Sequence, residues 1–473
     1  MASRRQMLPV ALAALPLLLA GCLDVPPDPP SGIPVFYDTF STGYTPASFD
    51  PKQGAAVNAL GVDPTVSFTG TSSIRLDVPS ASQFAGGVVL ASGPQDLTSA
   101  NALVFWAKAS KEVSFDYLGF GLNFAPLPST YQTTVIGLPL TTEWKRYRIP
   151  IPNPARLTAE HGMFWYQDVA PINYIAWFDD VKFDTIDPAL MALKPTIASY
   201  NAVVPLGGRA TVDPSLRYTD FDLTERSLDS GASFDSGPAP AYFTYSSSNP
   251  DVAAVDQGGT ITGVLVGNAT ITARLAGQDV PGAVTVEVRS VVPTAPETAA
   301  PLPTAAAANV IALYNSRGTY PNHPVDTWQT SWSAAGPLTT PTIAGTSSVV
   351  KKYSLLQYAG VDINAPGPKL DLSTMTTMHV DLWTPNGSQF GVQLVGWNGS
   401  TVGANAEVRF NSRTIKPFTW VSLEIPLSSF AGVNLAAVGQ LLWLDNTPIG
   451  QLPDGSPVLE KATFFIDNVY FHK

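Results

Sequence analysis

Gly70-Thr71-Ser72-Ser73, followed 26 residues on by Asp96-Leu97-Thr98, returns near the other end of the chain as Gly345-Thr346-Ser347-Ser348, followed 26 residues on by Asp371-Leu372-Ser373. The landmarks continue outward in the same order. A strand ending in Trp comes next in each copy (Ala102 to Trp106; His379 to Trp383), then Trp144 leading to Ile149-Pro150-Ile151 against Trp420 leading to Ile425-Pro426-Leu427. Each copy closes on a matching strand, Phe178-Asp179-Asp180-Val181-Lys182-Phe183 against Ile466-Asp467-Asn468-Val469-Tyr470-Phe471. One module is used twice. Apolar residues alternate over short stretches such as Ser73 to Val78 and Val421 to Leu427, the period of half-buried strands, and nothing of similar strength repeats at helical spacing. Each copy, at about 155 to 165 residues, has room for a jelly roll of about eight or more strands. Two linked copies gain from effective concentration, which suits a multivalent binder better than an enzyme.

Composition sets the outer limits. A chain of 473 residues is too long for one core and divides into roughly three domains. With 45% hydrophobic and only 13% charged residues it folds, and its 37 Gly and 43 Pro serve turns and linkers between many short strands. A net charge of −11 argues against nucleic acid or another polyanion as ligand, because phosphate binding needs a basic surface; neutral ligands stay open.

The single cysteine has an address. Arg4 and Arg5 precede an apolar run from Met7 to Ala20, shaped like a secretory segment and short for a membrane span. It ends in Leu19-Ala20-Gly21-Cys22, which resembles the lipobox of bacterial lipoproteins. That resemblance implies cleavage after residue 21, lipidation of Cys22 and a membrane-anchored body; Leu23 after the Cys favours an outer membrane. Acyl chains contribute about 0.8 kcal/mol per buried CH₂, enough in combination to anchor a soluble body. Residues 22–34 include Asp24-Val25-Pro26-Pro27-Asp28-Pro29-Pro30, a tether expected to extend as polyproline II.

Three domains follow on this reading: 35–186, 191–290 and, after a Pro/Ala/Thr linker at 293–308, 309–473. In the first, Asp96-Leu97-Thr98, Leu103-Val104-Phe105-Trp106-Ala107-Lys108, Trp144-Lys145-Arg146-Tyr147 and Asp179-Asp180-Val181 are similar to jelly-roll carbohydrate-binding modules of the galactose-binding-like type. In the last, Asn309-Val310-Ile311-Ala312-Leu313-Tyr314, Pro324-Val325-Asp326-Thr327-Trp328, Lys351-Lys352-Tyr353 and Phe465 to Phe471 resemble accessory modules of secreted bacterial glycoside hydrolases. In the middle, Ser246-Ser247-Ser248-Asn249-Pro250-Asp251-Val252, Gly259-Thr260-Ile261-Thr262-Gly263 and Gly267-Asn268-Ala269-Thr270-Ile271-Thr272 resemble bacterial immunoglobulin-like group 2 domains, with Tyr245 where that family commonly has Trp. The resemblance implies a spacer. Asp213 to Ala241 exceeds the pattern and is expected to loop out. The fold class is therefore all-β, three sandwiches: jelly roll, Ig-like, jelly roll.

Catalytic motifs are missing. No nucleophile elbow, zinc-protease helix, phosphate loop or dinucleotide fingerprint occurs, and His161, His323, His379 and His472 have no metal spacing. A glycosidase needs only two carboxylates at the right separation, which sequence does not exclude. Sugar binding needs aromatic faces for pyranose rings and amides or carboxylates for hydroxyls. Strand alternation places Met378, Val380 and Leu382 inward and His379, Asp381 and Trp383 outward; Phe390, Val392 and Leu394 inward leave Gln393 and Trp397 outward. Together these five form the expected glycan site, against the competing expectation that both Trp are covered strand-end residues. Trp106, Tyr117 and Trp165 are further candidates in the first module, each with core packing as the alternative; Trp165 and Tyr166 must point to opposite faces. Trp328 and Trp332 are expected to pack.

Asp179 and Asp467 stand at matching places on the closing strands with apolar neighbours, and an inward carboxylate demands compensation. The resembled modules imply a structural Ca²⁺ there, with Asp38 as partner in the first copy and backbone oxygens of Asn315 or Ser316 in the second. Hydrogen bonds to backbone amides are the alternative. The functional expectation is a non-catalytic, membrane-anchored glycan-binding lipoprotein. The competing classes are an adhesion protein that binds other envelope proteins, and an unrecognised polysaccharide-degrading enzyme.

Overall fold

A computed structural model describes residues 31–80, 83–187, 193–218, 234–235, 240–363, 369–445, 448–451, 457–459 and 461–473. Cys22, the expected signal segment and most of the expected tether lie outside them. Strands and short 3-10 turns account for the regular structure described, and no described helix is long and apolar enough to cross a membrane.

The duplicated landmarks build the same pair of sheets twice. One sheet of the first module runs Lys145–Pro150, Ala102–Ala109, Tyr174–Asp184, Ile33–Tyr37, with Ser73–Val78 also paired to Tyr174–Asp184. In the last module the order is Val421–Pro426, Thr377–Trp383, Ala462–His472, Val310–Tyr314, with Lys351–Leu356 paired to Ala462–His472. The facing sheets also match. Ala85–Gln95, Glu160–Asp168, Val113–Phe120, Thr133–Leu140 corresponds to Tyr358–Asp362, Val438–Leu444, Phe390–Asn398, Thr401–Phe410. Tyr44–Ser48 adds one outer strand to the first module; at the matching edge of the last, Thr327 and Ala334 make isolated bridges to Asp362 and Tyr358.

Alternation fills each core as the sequence proposes. Leu103, Phe105, Ala107 and Phe178 meet Phe115, Leu118, Phe164 and Tyr166 in the first module; Met378, Val380 and Leu382 meet Phe390, Val392, Leu394 and Trp443 in the last. Each such side chain contributes about 1.5–3 kcal/mol on burial. One landmark is out of step. Trp106 pairs across to Asp179, but Trp383 pairs to Phe465, two residues beyond Asp381, which takes the place of Trp106 opposite Asp467. The two Trp are therefore not equivalent; Lys108 occupies the position of Trp383.

The middle domain has a four-stranded sheet, Tyr200–Pro205, Gln278–Arg289, Gly267–Leu275, Phe243–Ser247, over a three-stranded one, Arg209–Thr211, Thr260–Gly263, Ala253–Val255. Part of the expected loop after Asp213 is strand: Pro214–Tyr218 pairs with Leu193–Ile197. The join to the first module is close. Tyr242 donates through its hydroxyl to the Tyr131 carbonyl (2.9 Å), and Arg156 donates to Thr244 Oγ1 (2.7 Å). On the other side Lys416 lies over the Tyr200 ring at 4.7 Å, and Arg413 reaches Asp213 at 3.7 Å.

The stretch read as a linker is a strap on the last module. Trp420 Nε1 donates to the Thr298 carbonyl (2.8 Å), Asn468 Nδ2 to that of Pro301 (2.8 Å), Tyr320 to that of Ala305 (2.6 Å), and Arg317 to that of Ala300. Extended Pro-containing backbone has unpaired carbonyls, and these side chains satisfy them.

Candidate functional site

The expected five-residue site divides between opposite sides of the last sandwich. His379, Asp381 and Trp383 leave the core on one sheet, Gln393 and Trp397 on the other, so the pleat reading holds while the shared site does not. The first three are also covered. His379 is stacked on Tyr470 (4.4 Å) with Nδ1 2.6 Å from Glu424 Oε1 and Nε2 3.3 Å from Asp381 Oδ1. Asp381 accepts from Ser422 Oγ (2.5 Å) and Asn468 Nδ2 (2.6 Å), and Trp383, 2% exposed, packs with Ile343, Val350 and Phe465. Burial opposes a charge on His379, but the Asp381 and Glu424 carboxylates outweigh it and raise its pKa. This is strap-side packing, not a binding surface.

The carboxylates proposed for Ca²⁺ have another role. Asp180 and Asn468 both adopt left-handed backbone (φ 48°) at a bulge in the closing strand, and Asp179 Oδ1 and Asp467 Oδ1 each accept the following N–H at 2.8 Å. Asp179 Oδ2 accepts the N–H groups of Phe68 (2.6 Å) and Thr69 (3.2 Å). Asp467 accepts the Ser316 N–H (2.8 Å) and the Ser316 and Ser348 hydroxyls, so Ser316 serves as donor, not as a backbone-oxygen ligand. Asp38 accepts the N–H groups of Thr71 (2.5 Å) and Ser72 (2.8 Å). Backbone N–H groups pointed at a carboxylate ligate no cation, and no described group of three or more His, Cys, Asp and Glu side chains is placed to hold a metal. The residues do not fit a Ca²⁺ site. The Gly-Thr-Ser-Ser loops differ in what they serve: Ser348 donates to the buried Asp467, whereas Thr71 and Ser72 donate to the part-exposed Asp38 and the buried Asp179 takes the N–H groups of Phe68 and Thr69 just before the motif.

The exposed face of the last module lies on the other sheet, outside Tyr358–Asp362, Val438–Leu444, Phe390–Asn398 and Thr401–Phe410. Register brings outward-facing residues into rows: Asp362, Gln440, Val395, Asn405; then Gly360, Leu442, Gln393, Glu407; then Tyr358, Leu444, Gly391, Arg409. Polar members are paired: Gln440 with Asp362, Gln393 Nε2 with Asn405 Oδ1 (2.7 Å), and Arg409 Nε with Glu407 Oε1 (2.7 Å). Such pairing holds the groups in place while leaving lone pairs and N–H groups for a ligand.

Aromatic rings lie flat on this face because glycines make room. A Cβ on Gly360 would meet Trp332 ring carbons at 2.2 and 2.4 Å, and one on Gly439 would meet Trp397 Nε1 and Cδ1 at 2.3 and 2.6 Å. Trp332 is 46% exposed and lies beside Tyr358 (6.2 Å between centroids, 29° between planes). Lys369 Nζ stands 4.0 Å over the Trp397 ring. Gly360 is opposite Leu442, and Gly439 lies three residues before Leu442 on that strand, at a bulge, so the two rings rest on different places along the sheet. Trp332, expected to pack, is instead the most open ring of the face. The signal that could have found it was glycine inside a strand, at Gly360, where something approaches the backbone closely.

In the first module Trp106 is on the strap-side sheet, stacked on Phe68 at 3.7 Å. Tyr117 and Trp165 are on the sheet equivalent to the platform face, near-parallel at 6.4 Å and 19°; Trp165 is 5% and Tyr117 38% exposed. Tyr166 points into the core, opposite to Trp165.

Residues 233–288 match the bacterial Ig-like domain (group 2) family. Among solved structures the chain is similar to the family 30 carbohydrate-binding module of a cellulosomal cellulase of Clostridium thermocellum (18% identity, 33% of this chain and 98% of that one, TM-score 0.26). It is similar also to the family 11 module from Clostridium thermocellum in complex with a β-1,3-1,4-mixed-linked tetrasaccharide (16%, 30% and 86%, TM-score 0.22). Carbohydrate-binding modules of the β-sandwich superfamily match at 13% identity over 60% of this chain and 99% of theirs, TM-score 0.23. No curated protein matches the chain.

Proposed function

We propose that this chain is a non-catalytic glycan-binding lipoprotein, anchored through Cys22, whose last module holds a single polysaccharide chain across the face of Trp332, Tyr358, Gln393, Asn405, Gln440 and Trp397. The observation that carries the reading is the pair of indoles laid over Gly360 and Gly439 with paired amides and carboxylates between them. Sugar rings offer C–H faces to stack on flat aromatics and edge hydroxyls that must be hydrogen-bonded when water leaves. The middle Ig-like domain acts as spacer.

Affinity electrophoresis through laminarin, xylan, mixed-linkage β-glucan or xyloglucan tests this. At least one should retard the chain, and Trp332→Ala or Gln393→Ala should weaken that retention by about 1–3 kcal/mol, roughly ten- to a hundredfold, with the thermal midpoint almost unchanged. Retention equal to wild type in both variants would remove the site. Release of reducing ends, lost on substitution of one carboxylate, would show an enzyme instead. For the anchor, Cys22→Ala should move the protein from membrane to soluble fractions or stall its processing; unaltered fractionation would sink the lipoprotein reading.

A further inference from the structure

The corresponding face of the first module repeats the ring-over-glycine device with different chemistry. A Cβ on Gly86 would meet Phe49 and Phe84 ring carbons at 2.6 and 2.8 Å, and one on Gly119 would meet the Thr133 carbonyl oxygen at 1.9 Å before Trp165 Nε1 at 2.9 Å. Phe124 joins Phe49 at 5.9 Å, and Tyr117 lies beside Trp165. Register places Gly86, Gln167, Tyr117 and Ile136 in one outward row and Val88, Trp165, Gly119 and Thr134 in the next. None of these is charged, and Gln167 is the one amide. Ile136 is 60% exposed. Asp116, beside Tyr117, turns its carboxylate to the Val169 N–H (3.0 Å).

A solvated single glycan chain would lose hydroxyl hydrogen bonds on such a face, because nothing replaces the ladder that Gln393, Asn405, Gln440 and Glu407 supply in the last module. In a packed polysaccharide the edge hydroxyls already bond to neighbouring chains, and what faces outward is a flat array of C–H groups. Rings held flat, with few polar groups between them, match that surface. Exposed aromatic area of this kind marks an interaction site. We propose that the first module binds the surface of an insoluble, uncharged, packed polysaccharide through Tyr117, Phe84 and Phe49, with the buried Trp165 packed beside Tyr117, so that the chain carries two glycan faces of different kinds. The assignment of class rests on the glycan reading of the last module; its test does not.

Residues 23–473 are mixed with microcrystalline cellulose, chitin and granular starch, and depletion from solution is measured. At least one particle should retain wild type. Tyr117→Ala/Phe84→Ala should lower that partition about tenfold, and Ile136→Glu, at an exposed position, should do the same with unaltered circular dichroism and thermal midpoint. Retardation in soluble-polysaccharide gels should stay as in wild type for both, while Trp332→Ala should show the converse. The proposal is overturned if no particle retains wild type, or if both variants partition as wild type does. Sedimentation that shows wild type self-associating and Ile136→Glu monomeric would assign the face to a second copy of the chain and overturn it too, as would vesicles of phosphatidylcholine and phosphatidylglycerol retaining wild type in place of the particles.

Discussion

The first and last modules share strand order, bulge and buried carboxylate, yet differ on both outer faces. On the strap side, the last module buries Trp383 and Phe465 under Ile343 and Val350, with Phe418 and the strap-bonded Trp420 packed against them, while the first leaves Trp106, Trp144 and Trp177 partly open and Phe68 38% exposed. On the platform side the last module interleaves rings with paired polar groups, and the first offers rings almost alone. Core and closing strand are therefore the framework common to the two copies, and outward positions are where they diverged. Inward positions are tied by packing and by carboxylates that need their donors; outward positions are free to acquire a strap or a ligand face.

The largest test of that difference compares two Trp on the strap-side sheet. Trp383→Ala should cost about 3–5 kcal/mol, because it empties a site between the sheet, Phe418 and Phe465. Trp106→Ala loses chiefly its stack with Phe68 and should cost about 1 kcal/mol. Scanning calorimetry of residues 23–473 should show one transition falling by many degrees in the first variant and little change in the second. Equal shifts would mean that the strap does not distinguish the two faces.

A second test asks whether the shared bulge behaves alike in both copies. Burial raises the Asp179 carboxyl to about 6, against amide hydrogen bonds that lower it, and burial likewise raises Asp467. Between about pH 4 and 6 the unfolded chain has already released the Asp179 proton while the folded module keeps it. Stability of the first module should therefore fall by about 3 kcal/mol as pH rises through that window, because each tenfold difference in proton affinity between folded and unfolded chain is worth about 1.4 kcal/mol. Asp179→Asn should flatten this slope, and Asp467→Asn should do so in the last module. His379 adds a dependence to the last module alone, since Val104 stands at its place in the first. With its pKa raised by Asp381 and Glu424, its contribution is full below the ordinary histidine value of 6.5 and is lost as pH rises through the folded value. His379→Gln should remove that loss without touching the first module.

How far the sequence could be read follows the same division. The spacing of Gly-Thr-Ser-Ser, Asp-Leu-Thr/Ser and the closing strands located both sandwiches, because those residues serve the fold itself. Period-two alternation placed Met378, Val380, Leu382 and Gln393 on their true sides of the pleat. It could not say which sheet face would be covered, since that depends on Thr298, Pro301 and Ala305 crossing strands far from them in sequence. Nor could it join Gln393 to Trp332 and Gln440, which strand order alone brings side by side.

The smallest test isolates one strap contact. Trp144 and Trp420 are equivalent, each immediately before the strand that pairs with the Trp-bearing one. In the last module the Trp420 indole N–H donates to the Thr298 carbonyl at 2.8 Å; in the first the Trp144 ring lies against Lys108 Nζ at 5.3 Å. Phe at either position keeps most of the apolar area and deletes the N–H. Trp420→Phe should leave the Thr298 carbonyl to water and cost about 1 kcal/mol, the net contribution of a typical hydrogen bond, with faster amide exchange across residues 297–305. Trp144→Phe should cost a few tenths of a kcal/mol at most, because only a partly exposed cation–π contact weakens. Exchange along 297–305 that is unaltered by Trp420→Phe would mean that Asn468, Tyr320 and Arg317 hold the strap without it, leaving ring burial as the sole distinction between the two equivalent Trp.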